Sequence, residues 1–520
     1  MGRTIEEKIT RFDRGMINDP RSDEGIARVI KNFDNNSFTH KLVPYNSSLA
    51  AGGGLGDTEK ARALEVAPIS AGNYRKFALG VTNAGTKTKI WRADLTGNSW
   101  SALTNGKGTS MDTTDFELFI YYAKTGRIYG AADGTTIWSV DPADSAPFDE
   151  TDDDDKFAHT LVTAYNNPRS TDAANRPNIS GLVHSKDDIL YIGYDNIIIL
   201  NSGSGDWTDP ALTLPVDRVI TSLSEYGNYL AIATKDRNTV GKSIVYLWNR
   251  DTSLTTVTET VDFGEGNLEI LEEIDGTLVG ISILGSDTTN IFSRLVFRSY
   301  DGRTAKIFKQ FTSEANYNAN DLRNKKQKVN NTLYFLLTFT ISDVVQEGVW
   351  KIGRNSLNSG LAVSIHRTPN NDTALTATKS LEDFLIAGDY TTILYQSGSA
   401  YSSSVTDASN HDHTSELVTK IFDGGDSSIT KNFIGATVFF EPLTNSAWQV
   451  SLDYKKDAET SWTTIITDFT SATSEMRKFV DAVTAGIGDF KEIQFRIRSE
   501  KGAVITGFSF KYKEIEDKPY

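Results

Sequence analysis

Cysteine is absent from all 520 residues. That excludes disulfides, thiolate nucleophiles and Cys-based zinc or iron–sulfur sites. Histidine is scarce, with six residues: His40, His159, His184, His366, His411 and His413. None falls in the HExxH pattern that places two imidazoles and a carboxylate around zinc. Long apolar runs are missing too, so no segment approaches the ~18 residues that a membrane helix needs. Met1 to Pro20 is polar and charged, without the apolar stretch of a secretory signal. Together these features lead us to expect a soluble product made in the cytoplasm, with no membrane insertion. Basic surplus is lacking as well. The formal net charge is −15, which disfavours generic phosphate-backbone binding, and no sequence-specific nucleic-acid binding is expected.

What the chain does have is aromatic and β-forming residues. It contains 26 Phe, 20 Tyr and 8 Trp, enough to fill a sizeable core. Short segments of alternating apolar and polar residues recur from about residue 62 to 405, while amphipathic helical spacing is rare. Trp91, Trp138, Ile198, Trp248, Phe297, Trp350 and Leu394 serve as equivalent marks along them. The steps between them are 47, 60, 50, 49, 53 and 44 residues, near the ~40–50 of a four-stranded propeller blade. Asp133-Gly134, Asp275-Gly276 and Asp301-Gly302 stand where hairpin turns need positive φ. The expected fold is therefore all-β: a β-propeller of about seven blades over 62–405. A large β-sandwich is the bland alternative. No regular Gly-His…Trp-Asp or paired-glycine signature assigns the repeats to the WD40 or kelch type.

Residues 1–61 read differently, as turn-rich and glycine-rich pieces joining spaced anchors: an extended N-terminal arm that lies on its own propeller or on a neighbouring subunit. Residues 398–415, with Ser402-Ser403-Ser404, read as a linker. The alternating runs that follow, among them Lys431–Phe440, Gln449–Tyr454 and Ile505–Tyr512, read as a sandwich of about 100 residues. The three segments are thus the arm, 1–61, the propeller, 62–405, and the linker with C-terminal β-sandwich, 406–520.

No catalytic, cofactor-binding or metal site emerges. His411-Asp412-His413 would share one face of an extended strand, yet it sits in the linker and reads as a solvated loop. The acidic run Asp149–Asp155 offers the oxygens that Ca²⁺ prefers but lacks the glycine and ligand spacing of an EF-hand. Gly52-Gly53-Gly54-Leu55-Gly56-Asp57 has no Gly-Lys-Ser/Thr and reads as a flexible joint. Asp133-Gly134 and Asp301-Gly302 faintly echo the Asp-box of sialidase propellers, with Asp and Gly adjacent where that motif separates them. With 68 acidic residues, no glycosidase pair can be nominated. Trp100, Trp207 and Trp462 are candidates for stacking on sugar rings if they lie on loops, and core residues if they do not.

Several short segments carry a resemblance. Arg11-Phe12-Asp13-Arg14-Gly15-Met16-Ile17-Asn18-Asp19-Pro20-Arg21 is followed by Asn32-Phe33-Asp34 and by Leu42-Val43-Pro44-Tyr45. Near the other end come Lys420-Ile421-Phe422-Asp423-Gly424-Gly425, Phe433-Ile434-Gly435, Ala447–Lys455 and Gln494–Arg498. In this the chain resembles tailed-phage virion proteins that begin with a gly-x-x-asn-asp-pro-arg segment and continue into a propeller and a terminal sandwich. The resemblance implies a non-enzymatic virion structural protein, at the tail nozzle or near the portal, forming a symmetric ring. Its expected partners are copies of itself and other tail or portal proteins, and the acidic balance would suit a DNA conduit. The alternative is a virion-attached recognition module for a host-surface glycan, and a glycan hydrolase is a third reading. No functional residues carry over, because the shared pattern is one of packing and attachment.

Overall fold

The structure is a computed structural model. It describes residues 4–10, 16, 27–31, 33–34, 42–44, 49–51, 55, 60–81, 88–97, 99–103, 118–132, 136–144, 159–160, 179–237, 241–254, 256–285, 293–313, 321–341, 344–354, 360–368, 379–397, 400–406, 414–443, 445, 447–469 and 476–515. These residues are almost entirely strand, with one four-residue helix, Ala482–Ala485. The chain divides into two compact units: residues 50–348 with 373–406, and residues 1–49 with 349–372 and 407–520. This differs from three consecutive segments. The N-terminal residues join the C-terminal ones, and 349–372 is grouped with them, although Ala362–Arg367 still pairs with Val344–Gly353 as the fourth strand of its set.

The larger unit is built from successive small antiparallel sheets. Lys60–Ser70, Asn73–Val81, Thr88–Asp94 and Ser101–Leu103 form one, and strands within 119–160, 179–213, 218–265 and 267–312 form four more of the same kind. Tight hairpins join their strands. At Asp275-Gly276 both residues take positive φ, 48° and 76°, and Ile274 faces Thr277 across the two-residue turn. The last sheet contains Lys379–Ala387, Tyr390–Ser397 and Ala400–Thr406. Its fourth strand is Leu49–Ala51, which precedes the first sheet in the chain.

The arrangement is propeller-like. The first strands of the sheets follow one another in contact: Lys60–Ser70 with Phe119–Tyr122, then Ile179–His184, Arg218–Tyr226, Asn267–Ile274, Asp321–Val329 and Lys379–Ala387. The last of these contacts the first again. A register shift recurs in the pairing of first and second strands, at Ala61/Ala63, Ile220/Ser222, Leu268/Ile270, Leu322/Lys326 and Leu381/Asp383. Bulges of this kind bend a strand and re-aim its side chains.

Apolar residues from neighbouring sheets interlock. Phe77, Leu79 and Ile90 pack with Phe119, Ile128 and Trp138, and Tyr191, Ile198 and Leu200 pack with Leu223, Ile232 and Trp248. Leu64, Ala78 and Trp91 close onto Leu385 and Leu394 of the last sheet. Since both faces of a sheet are covered, alternation gives way to continuous burial, as in Ile197–Asn201. Close packing also dictates Gly130. A Cβ there would lie 2.1 Å from the Trp138 ring, so only glycine leaves room for the indole.

Trp91, Trp138, Ile198, Trp248, Phe297 and Trp350 are all fully buried, each on the third of four successive strands. Leu394 lies instead on a second strand, opposite Ser403. The third strand there is Ala400–Thr406, part of the stretch read as a linker. Its Ser403 is fully buried and accepts a hydrogen bond at 2.8 Å from Trp100 Nε1. The serine run looked solvated because it carries no apolar mark of its own.

The second unit holds strands of two larger sheets besides the two-stranded pairing of Phe33–Asp34 with Val43–Pro44. Thr4–Ile9, Ile505–Glu514, Lys431–Phe440 and Arg477–Asp481 lie in that order in one. Ala362–Arg367, Ala27–Lys31, Thr414–Thr419, Ile493–Glu500, Gln449–Lys456 and Thr463–Phe469 lie in that order in the other. Phenylalanines meet between them: Phe495 is 4.8 Å from Phe508 and 5.0 Å from Phe510, ring centre to ring centre, and Phe422 is 4.8 Å from Phe510. The expected arm therefore contributes two strands, Thr4–Ile9 and Ala27–Lys31, one to each sheet.

Candidate functional site

Five of the first strands of the larger unit surround a cavity of about 220 Å³. Leu64, Leu118, Phe119 and Leu385 supply apolar wall, and Glu65, Ser180, Lys325, Lys326, Gln327 and Asp383 supply the polar groups. Asp383 follows the register shift in its strand, which turns its side chain inward. Its carboxylate accepts hydrogen bonds from the Leu64 N–H at 2.7 Å and the Phe384 N–H at 2.8 Å, with Lys325 Nζ at 3.6 Å. Burial nonetheless raises its pKa, against the pull of Lys325.

Glu65 is held by main-chain amides of two sheets. Oε1 accepts from Val66 N–H at 2.8 Å and Oε2 from Tyr121 N–H at 3.2 Å. Removal from water pushes its pKa up to about 7. The two amides oppose that shift, Asp383 adds to it, and Lys325 opposes it again.

Lys326 leaves the same strand as Lys325 but ties different neighbours. Its ammonium donates to Leu223 O at 2.5 Å and to Leu271 O, and pairs with Glu272 Oε2 at 2.7 Å. Gln327 then makes a reciprocal pair with Ile386, donating to its carbonyl at 2.8 Å and accepting from its N–H at 2.7 Å. Consecutive side chains of one strand thus fasten three other first strands. Charge here is committed to main-chain groups and counter-ions, an arrangement that locks strands together.

The histidines divide. His40, His411 and His413 lie outside the described residues, as do the acidic run 149–156, Asp133-Gly134 and most of the Gly52–Asp57 segment. His159 is on the two-residue strand His159–Thr160. His184 is fully buried, in contact with Arg250 and with Asp187 Oδ1 3.5 Å from its Nδ1. Asp187 is also 3.0 Å from Arg250 Nε and accepts from Tyr191 OH at 3.1 Å. Burial and then Arg250 hold the His184 pKa down. Burial likewise holds His366 well below its ordinary value, with Arg367 and Lys351 adding to it. Among the described residues, no three His, Asp or Glu side chains converge to hold a metal ion.

The three tryptophans considered for sugar stacking contact their own unit. Trp100 is buried. Trp207 meets Tyr129 edge-on at 6.0 Å, and Trp462 lies under Lys455 at 5.1 Å and Arg496 at 4.9 Å. Asp301-Gly302 sits in the hairpin loop between Tyr300 and Ala305, with Gly302 at φ 93°. The axial charged cluster had no sequence signal. Glu65, Lys325, Lys326 and Asp383 look like solvated charges of the strands, and only the closure of the first strands brings them together.

No family model matches the chain. No curated protein matches it either. Among solved structures, it is similar to a chain of "Crystal Structure of Mitotic Checkpoint Complex", at 9% identity and a TM-score of 0.41, covering 75% of this chain and 97% of that one. The strand pairings, and not that likeness, carry the propeller-like description. Among the described residues, no helix is long and apolar enough to cross a membrane.

Proposed function

We propose that this chain is a non-enzymatic structural component of a tailed-phage virion, a seven-bladed β-propeller with a β-sandwich that forms a symmetric ring at the tail nozzle or near the portal. The seven first strands in cyclic contact support the blade count, as does the repeated register shift. The strand Leu49–Ala51 completing the last sheet supports closure by the N-terminal side of the chain. The phenylalanines between the two sheets of the other unit support the sandwich.

One observation carries the structural reading: several described residues that bear the resemblance sit at joints, while Arg11–Gly15, Ile17–Arg21, Asn32 and Tyr45 lie outside the described residues. Phe33-Asp34 pairs with Val43-Pro44. Leu42 exchanges hydrogen bonds with Ile505, at 2.8 and 3.1 Å, and Phe422 does the same with Ile493, at 2.8 and 3.0 Å. These positions, which carry the resemblance, hold backbone to backbone, which supports the scaffold reading. Rigidity follows from blades that each pack on two neighbours.

Sedimentation of the full chain tests the ring. The reading expects one species of several copies that persists on dilution, and a monomer at all concentrations would overturn it.

A further inference from the structure

The sheet that contains Thr4–Ile9 ends, among the described residues, in two strands that pair on one side only: Thr4–Ile9 itself and Arg477–Asp481. Unpaired edges of this kind are templates for another strand, and proteins that remain single blunt them with charge, proline or a cover. The second edge strand also carries charge, Arg477, Lys478 and Asp481, but exposed apolar side chains lie on it and beside it. Met476, Phe479 and Val483 are 62%, 56% and 92% exposed, within eight residues of chain. Phe479 sits over Gly435, where a Cβ would come within 2.6 Å of its ring, and it remains open to solvent.

Direction and charge both point to the same occupant. The four strands alternate antiparallel, so Thr4–Ile9 and Arg477–Asp481 run in opposite senses. A second copy in the same orientation would therefore set its Thr4–Ile9 strand antiparallel to Arg477–Asp481. Thr4–Ile9 carries Glu6, Glu7 and Lys8, whereas Arg477–Asp481 carries Arg477, Lys478 and Asp481. Their net charges are opposite in sign. In the register that sets Lys478 opposite Glu7 of the next copy, Arg477 meets the like charge of Lys8, while Val480 faces Ile5, Phe479 lies beside Glu6 and the Lys478–Glu7 pair is one of opposite charge. Cross-strand pairs of this type stabilise a ladder.

We infer that Arg477–Asp481 docks Thr4–Ile9 of a second copy of this chain, extending the sheet head to tail. Such a heterologous contact makes a ring when its rotation closes. The inference deepens the self-association proposed above and is independent of any phage particle.

The absence of cysteine makes the test direct. Glu6→Cys and Phe479→Cys variants are purified separately, then oxidised alone and as a mixture, while the mass of the native chain is measured in solution. A covalent dimer is expected in the mixture and only at trace level in either variant alone. Lys478→Glu should weaken association at least tenfold, and adding Glu7→Lys should restore it. An oligomeric native chain whose variant mixture gives no cross-link, and whose mass ignores Lys478→Glu, would overturn this interface while leaving self-association standing. A monomeric native chain would overturn both.

Discussion

Trp100 donates its indole N–H to the hydroxyl of Ser403, 2.8 Å away and 303 residues along the chain. The contact joins the first sheet of the larger unit to the last, and Lys76 lies 5.2 Å from the same indole. Trp100→Phe keeps most of the packing and removes the donor, so it should cost about 1–2 kcal/mol of unfolding free energy. Trp100→Ala also opens a cavity and should cost about 3–5 kcal/mol. Urea unfolding of both variants checks the order: an unchanged stability for Trp100→Phe would show that the hydrogen bond contributes nothing, and equal losses would show that the ring's packing does not.

Lys326 supplies a sharper test of the axial cluster. Lys326→Met leaves Glu272 without its cation and the Leu223 and Leu271 carbonyls without their donor. A loss of about 3–5 kcal/mol is expected. Pairing it with Glu272→Gln should recover part of that loss, because the stranded charge disappears. A double-mutant cycle with no coupling would place the two residues outside one network.

Burial of Glu65 sets a pH dependence. Its pKa rises from 4.5 to about 7 on folding, so the folded chain holds a proton that the unfolded chain releases. The stability this confers is complete below pH 4.5 and is lost as pH rises towards 7, on the order of 3 kcal/mol. Glu65→Gln should therefore gain on the native chain between pH 5 and pH 8 in chemical unfolding. Lys76 works in the opposite sense. Desolvation lowers its pKa from 10.5 to about 7, so its penalty fades as pH rises from 7 to 10.5. Parallel pH profiles for the native chain and Glu65→Gln would contradict the assignment.

Phe495 anchors the smaller unit through Phe508 and Phe510. Phe495→Ala should cost about 3–5 kcal/mol. Loss of near-ultraviolet aromatic signal during unfolding is the measurement, with Phe495→Leu retaining most of the stability. An unchanged midpoint for Phe495→Ala would remove the aromatic layer as the core of that unit.

The all-β character was legible because strand alternation and aromatic marks are local. Trp91, Trp138 and Trp248 each report a buried third strand without reference to anything distant. Leu394 misled by its position on a second strand, since the true third strand, with Ser403, is buried by Trp100 from the far end of the unit. Thr4–Ile9 and Ala27–Lys31 read as an arm because their partners, Ile505–Glu514 and Thr414–Thr419, lie hundreds of residues away. The attachment of 349–372 to the smaller unit was hidden for a related reason. Ala362–Arg367 keeps its antiparallel partner Val344–Gly353, and only its parallel neighbour Ala27–Lys31 marks the second attachment. Charged residues of the axial cavity were silent, because the closure that buries Glu65 is a property of the whole ring.

The proposed place in a virion is tested most directly by quantitative mass spectrometry of purified tailed-phage particles from the source of this chain. The account expects several copies per particle, in fixed proportion to the tail and portal proteins. Complete absence of the chain from intact particles would contradict it.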